Sequence, residues 1–434
     1  MKWFVFIGIL SVASSKHEKY IGWKSYYIKL STAVQSKALG PMEQMYELDF
    51  LSHPAKGREG VVLVKPQHQA AFVKELDAEG IAYRIHVDNV KRKLDYDDQL
   101  IQAMKRATAP RNKSHHQLSF YNYHDLQVFE DYLDYIAKRY PKIATVVTGG
   151  YSFNNNSIEY IKISTTNFED KTKPVVVIDG TIHAREWITA PTVAWAIHKL
   201  VENVTEPDLL DRFDWILVPI ANPDGYKYSF DYDRFWRKNR SFDDHPVSFV
   251  CRGVDLNRNF DIKFNTHTAD ETYTDNCEET FQGTHAFSEP ETRVIRDILQ
   301  ENLARVALYI SLHSFGSVIM YPWGYDGTLS YNAGDLYSVG KAMAAAIDSN
   351  ALPYFPRYDV GNIAQIMYRS TGASTDYAHS IGVPLAYAFE LPGLSDTDKG
   401  FHLEPSLIKQ VCQETWEGFV VGARRAGDLF PNKN

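Results

Sequence analysis

The sequence predicts an α/β protein in two parts: a small α+β unit, then one large unit whose sheet is covered by helices on both faces. Three observations carry this. Val175 to Asp179, Trp215 to Ile220, Arg305 to His313 and Leu385 to Leu391 are near-continuous apolar runs, as strands buried on both faces require. Between and after them, Ala190 to Val204, Glu289 to Leu303, Tyr337 to Asn350 and Leu407 to Leu429 carry helical periodicity. The chain has 434 residues, more than the ~150 typical of one domain.

In chain order, Met1-Lys2 precedes an apolar run from Trp3 to Val12, and Ala13 and Ser15 occupy the −3 and −1 places of a small-residue cleavage site. This predicts a signal peptide over 1–15 and a secreted product. No other segment approaches the ~18 apolar residues of a membrane span. Tyr26 to Leu30 reads as a strand, Met42 to Leu51 as a helix, Gly60 to Lys65 as a strand, Gln67 to Glu79 as a helix and Ile81 to Val87 as a strand. A charged helix is predicted from Val90 to Ala107, followed by a Pro-containing, basic linker up to Ser114. Arg111 and Lys113 in that linker suit a trypsin-like protease. The expected units are therefore 16–111 and 112–434.

Composition narrows the function. Hydrophobic residues at 44% and charged residues at 23% fit a globular chain. A net charge of −8 offers no basic surface for a polyanion, so neither nucleic acid nor membrane is an expected partner. Cys251 and Cys277 could close a loop in an oxidising compartment, while Cys412 falls in an apolar helical pattern and reads as an inert core thiol. Sequons at Asn112, Asn155, Asn203 and Asn239 permit N-glycans.

His183-Ala-Arg-Glu186 follows one apolar run and precedes a helix, at a strand end where open α/β sheets bind ligands. An imidazole and a carboxylate at this spacing can bite one metal ion, but in a chain with 15 histidines the pair alone is weak. His313, ending another apolar run, supplies a third ligand and completes the two-His-one-Glu set of a catalytic zinc with one position open.

With Trp236-Arg237-Lys238, Asp255-Leu-Asn257-Arg258-Asn259 and Ala388-Phe389-Glu390-Leu391 in the same order, the chain resembles the zinc metallocarboxypeptidases of the pancreatic A/B type, from a propeptide-like region through Trp416. The resemblance implies a mixed eight-stranded twisted sheet flanked by helices behind a small α+β prodomain. It also implies one Zn2+, a monomer, and removal of one residue from the free C-terminus of a peptide or protein, in digestion. The propeptide would be the enzyme's own inhibitor until a trypsin-like protease releases it.

Residue by residue, His183, Glu186 and His313 would hold zinc, which lowers the pKa of water from ~15.7 toward ~7. Glu390 ends an apolar strand, where a carboxylate is costly unless used, and matches the family's general acid/base. Arg237 matches the arginine that polarises the scissile carbonyl. Arg258 beside Asn257 would grip the terminal carboxylate as only a planar guanidinium can. Tyr368 matches the tyrosine that closes over the terminal residue, and Arg185 an accessory substrate contact. Asp255 suits a partner for His183.

The carried-over side-chain pocket comprises Ser311, Met320, Gly324, Ile363, Ser370, Ala373, Thr375 and Ala388. None is charged, so neutral C-terminal side chains are expected. A B-type enzyme for Lys and Arg is disfavoured because no acid stands at position 375. A non-catalytic binding relative is disfavoured because every ligand and the base are present. The loop from Pro392 to Gly400 exceeds the family pattern, which leaves the role of Phe401 at the rim open.

Overall fold

The computed structural model describes residues 16–55, 58–107, 118–242, 248–266, 275–393 and 400–431. The expected signal segment and the linker residues Arg111, Asn112 and Lys113 lie outside the described residues, as do residues 394–399 of the lengthened loop.

The first unit contains strands β1 (Lys24–Lys29), β2 (Asp49–Ser52), β3 (Glu59–Val64) and β4 (Ala82–Val87) in an antiparallel sheet ordered β2-β3-β1-β4. Its helices are α1 (Ala33–Met45), α2 (Gln69–Ala78) and α3 (Val90–Ala107). Side chains alternate across a pleated strand, so the sheet has two apolar faces. Tyr26, Ile28, Val62 and Val64 pack with Leu39 and Met42 of α1 and Phe72 and Leu76 of α2. Tyr27, Val61 and Leu63 face the other way and pack with Phe235, Phe315 and Phe401 of the large unit. One face thus builds the unit's own core, and the other docks it.

The helix expected over 42–51 is displaced. α1 starts earlier, where Thr32 and Gln35 form a capping box, and it stops at Met45; Glu47 then takes φ 47°. Residues 49–52 pair with β3 instead, Phe50 opposite Val62. Leu48, Phe50 and Leu51 fit either period on paper, and strand pairing decides.

The large unit has eight strands: β5 (Ala144–Tyr151), β6 (Ser157–Ile163), β7 (Val175–Gly180), β8 (Asp214–Val218), β9 (Val306–Ser314), β10 (Val318–Tyr321), β11 (Asp359–Asn362) and β12 (Leu385–Leu391). They form one mixed sheet ordered β11-β10-β12-β9-β7-β8-β6-β5, as the resemblance implied. The four strands expected from apolar runs, β7, β8, β9 and β12, are its centre and run parallel. Val176 and Ile178 of β7 join the core on one face, Val175 and Val177 that on the other. The expected helices appear as Thr189–Val201, Pro290–Glu301, Ala333–Asn350 and Ile408–Leu429.

Cys251 and Cys277 are joined, with Cα atoms 4.7 Å apart. Cys412 is buried against Thr192, and burial pushes its thiol up to about 12, which makes it inert. Asn155 and Asn203 are exposed. Asn239 is not available to a glycan in the folded chain: it is buried and its Nδ2 donates to Glu289 at 2.7 Å and Glu291 at 3.2 Å. No helix of the described residues is long and apolar enough to cross a membrane.

Candidate active site

Parallel register gathers the site at the C-terminal ends of the central strands. On β12 and β9, Glu390 lies opposite His313. On β7 and β9, Asp179 lies opposite Ser311, and the chain leaves β7 through Thr181, at φ 57°, into the loop bearing His183 and Glu186. The helix Thr189–Val201 follows at once and is buried along nearly its whole length, which anchors that loop.

The three expected metal ligands converge. His183 Nδ1 is 2.8 Å from Glu186 Oε1, His313 Nδ1 is 3.1 Å from Glu186 Oε2, and the two Nδ1 atoms are 3.1 Å apart. All three residues are buried, and theirs is the one such cluster among the described residues. Two imidazole nitrogens aimed at one point beside a carboxylate fit a divalent cation better than they fit each other, since two N–H groups there would clash. Burial would raise the Glu186 carboxyl, but the two imidazoles hold it well below the usual range. Burial and the nearby Arg237 push His183 down, toward the neutral form a metal requires.

Asp255 Oδ1 lies 3.0 Å from His183 Nε2. It also caps the short Leu256–Arg258 turn, accepting from Asn257 N at 2.9 Å, and its Oδ2 accepts from Arg237 Nε at 3.0 Å and Nη2 at 2.8 Å. Burial alone would raise Asp255, yet Arg237, His183 and Arg258 hold it well below the carboxylate range. One buried anion therefore fixes both a metal ligand and the arginine beside it.

Arg237, Arg258, Tyr368 and Glu390 line a single cleft with the metal ligands. Arg258 Nη2 is 3.5 Å from the Tyr368 hydroxyl. Burial and Glu186 push the Glu390 carboxyl up to about 7, against the pull of His313, Arg58 and Arg237. Met320, Ile363, Ser370, Ala373, Thr375 and Ala388 line the same cleft. Thr375 Oγ1 is buried without a hydrogen-bond partner.

Two carried-over residues stand elsewhere. Ser311 is fully buried with its hydroxyl on Asp179 and His313, and Gly324 lies behind Ile363, its N–H donating to Asp376 at 3.0 and 2.8 Å. Asp376 is an acid beneath the pocket that the sequence reading passed over; burial pushes it up to about 7.

Sequence reasoning also missed how the first unit enters the cleft. Asp49, Phe50, Ser52 and His53 line it. Arg185 gives Nη1 to Asp49 Oδ1 at 3.1 Å and Nη2 to the Phe50 carbonyl at 2.9 Å. His53 stacks on Phe50 at 4.5 Å and tilts against Tyr368 at 5.1 Å; burial with Arg237, Arg258 and Arg185 pushes it down to about 3, so it sits there neutral. Arg58 donates to the Gly316 carbonyl at 2.5 Å, and its charge bears on Glu390. Phe401 packs edge-on against Phe315 at 5.0 Å beneath the first unit. The only available signal was the propeptide resemblance, which names no contacts.

Residues 129–418 match the family model described as zinc carboxypeptidase, and residues 26–97 that of the carboxypeptidase activation peptide. A carboxypeptidase B from Helicoverpa zea is 61% identical over 431 residues, 99% of this chain and 100% of that one. Bovine carboxypeptidase A1 is 29% identical over 97% of each chain. The crystal structure of carboxypeptidase A from Helicoverpa armigera superposes with a TM-score of 0.89 at 42% identity, covering 95% of this chain and 100% of that one. With its two-His-one-Glu cluster at the sheet's centre and an activation peptide over the cleft, the chain belongs to the zinc carboxypeptidase family and is a zymogen.

Proposed function

We propose that this chain is the secreted precursor of a digestive carboxypeptidase that releases a neutral C-terminal residue. The observation that carries the reading is that the cleft residues Met320, Ile363, Ala373, Thr375 and Ala388, at the positions carried over for the terminal side chain, are all uncharged. A basic side chain held among these five residues would lose its hydration and meet no charge on any of them, a cost of several kcal/mol.

Zinc, when bound by His183, Glu186 and His313, supplies a Lewis acid that makes water nucleophilic near neutral pH. The protein's own groups do the rest. Arg258 and Asn257 hold the terminal carboxylate, which fixes the last peptide bond over the metal ligands and excludes internal bonds. Glu390, partly enclosed and poised near neutrality, takes the proton of the attacking water and returns it to the leaving nitrogen. Arg237, kept charged by Asp255, stabilises the negative charge that develops on the carbonyl oxygen. Tyr368 covers the bound residue. Arg185, once free of Asp49, contacts the residue upstream. Segment 16–111 keeps the enzyme latent by filling the cleft, and cutting at Arg111 or Lys113 frees it.

Two observations favour the B-type alternative: Asp376 lies just beneath the pocket, and a Helicoverpa zea relative is named carboxypeptidase B. Asp376 is turned onto the Gly324 N–H, however, and is not on the cleft surface. Hydrolysis of peptides differing only in the last residue separates the two readings.

A further inference from the structure

Each imidazole that gives one nitrogen to a metal has a second nitrogen to place, and the partner of that second nitrogen fixes the tautomer and the ring angle. For His183 the partner is Asp255, in direct contact. For His313, Nδ1 faces the other two ligands, so Nε2 carries the hydrogen and needs an acceptor.

Two groups reach His313 Nε2: Asn257 Nδ2 at 3.4 Å and Ser311 Oγ at 3.3 Å. The Asn257 amide is oriented by its Oδ1, which accepts from Ser374 N at 2.8 Å, so its Nδ2 is a donor and cannot serve. The Ser311 hydroxyl donates to Asp179 Oδ1 at 2.8 Å, which turns an oxygen lone pair toward the imidazole. Asp179 and Ser311 are both fully buried, so no water competes for either bond. Their placement follows from the sheet. Residues two apart on β9 share a face, which stacks Ser311 under His313, and parallel pairing sets Asp179 of β7 opposite Ser311.

We propose that Asp179 and Ser311 are positioning residues for the zinc ligand His313, a carboxylate–hydroxyl–imidazole chain that does for this ligand what Asp255 does for His183. Ser311 thereby leaves the specificity pocket assigned to it from the family pattern and acts on the metal. The inference rests on the metal site and not on which C-terminal residue is preferred, so metal titration and substrate panel fail separately.

The test is the zinc affinity of the mature enzyme, measured by competition with a chromogenic chelator, for the wild type, Ser311→Ala, Asp179→Asn and the double variant. Each single change should weaken zinc binding by about 10- to 100-fold, as loss of such partners does elsewhere. The double variant should be no weaker than the worse single, because both changes break one chain. At saturating zinc, the ranking of C-terminal residues should match the wild type. Zinc affinity of Ser311→Ala within about threefold of wild type overturns the proposal, as does a double variant whose losses multiply. A changed substrate ranking with intact zinc affinity also overturns it and returns Ser311 to the pocket. If Asp179→Asn does not fold, as judged by melting of the zinc-free protein, Ser311→Ala decides alone, since it removes one oxygen.

Discussion

Arg185 donates from Nη1 to Asp49 Oδ1 at 3.1 Å and from Nη2 to the Phe50 carbonyl at 2.9 Å, so a cleft arginine assigned to substrate is held by the activation peptide instead. Arg185 is almost fully buried in this arrangement, and Glu279 stands 3.9 Å away as a second carboxylate for it. Asp49→Ala should therefore loosen the peptide without unfolding it, because the Phe50 carbonyl still holds the guanidinium. A hydrogen bond between charged groups is worth about 1.5–3 kcal/mol, or roughly a 10- to 150-fold change in the docking equilibrium. Residual peptidase activity of the uncut precursor, and its rate of trypsin activation, should both rise by about that factor. A precursor as silent and as slowly cut as the wild type would leave this contact without a part in latency.

Glu390→Gln keeps the metal ligands and the cleft but removes the proton acceptor. Turnover should fall by about 10²- to 10⁴-fold with substrate binding nearly unchanged. The pH profile follows from the same group. Because burial and Glu186 raise its pKa, protonation disables the base on the acid side, and kcat/KM should fall as pH drops through a midpoint between ~4.3 and about 7. An acid limb that persists unchanged in a still-active Gln variant would assign it to another group.

Arg258→Ala removes the partner of the terminal carboxylate. At ~2–5 kcal/mol for truncating a desolvated charge pair, kcat/KM should drop about 30- to 5,000-fold. The wild type should also ignore peptides ending in an amide. Equal cleavage of amide and free acid would remove the reason for calling the enzyme an exopeptidase.

Stability should depend on pH through Glu414, which is buried in the helix Ile408–Leu429 and pushed up to about 8 by burial. In the unfolded chain this carboxyl loses its proton near ~4.3, so between there and about 8 the native state holds the extra proton. Its contribution to stability therefore falls as pH rises through that window and is flat above it. Glu414→Gln should leave the melting temperature at pH 5 nearly unchanged and raise it by a few degrees at pH 8, at about 1 °C per kcal/mol for a chain of this length. Parallel wild-type and variant curves across this range would mean the carboxyl is ionised when folded.

Much of this was legible from residue order. β7, β8, β9 and β12 announce themselves because strands covered on both faces need unbroken apolar runs. The other four strands lie toward the two edges of the sheet: mixed polarity hides the period of β5, β6 and β11, and β10, though wholly apolar, is only four residues long. His183, Glu186 and His313 were readable because metal chemistry demands those side chains at strand ends. The contact of Ser311 with His313 was not legible because a family pattern gives position and not direction, and only the β9 pleat brings its hydroxyl to 3.3 Å from His313 Nε2. Asp49, His53 and Arg58 were invisible as cleft residues since nothing local marks a contact made across 130 residues or more.

Specificity and metal dependence are read together from kcat/KM of the trypsin-activated enzyme on peptides identical except for the last residue, with zinc present and after chelation. The expected result is zinc-dependent release of Leu, Met, Phe and small polar residues, with Lys and Arg slower by about 100-fold or more, the equivalent of several kcal/mol for an unpaired buried charge. Preferred release of Lys or Arg would contradict it and turn attention to Asp376 beneath the pocket, and full activity in protein of verified zero zinc content would contradict it altogether.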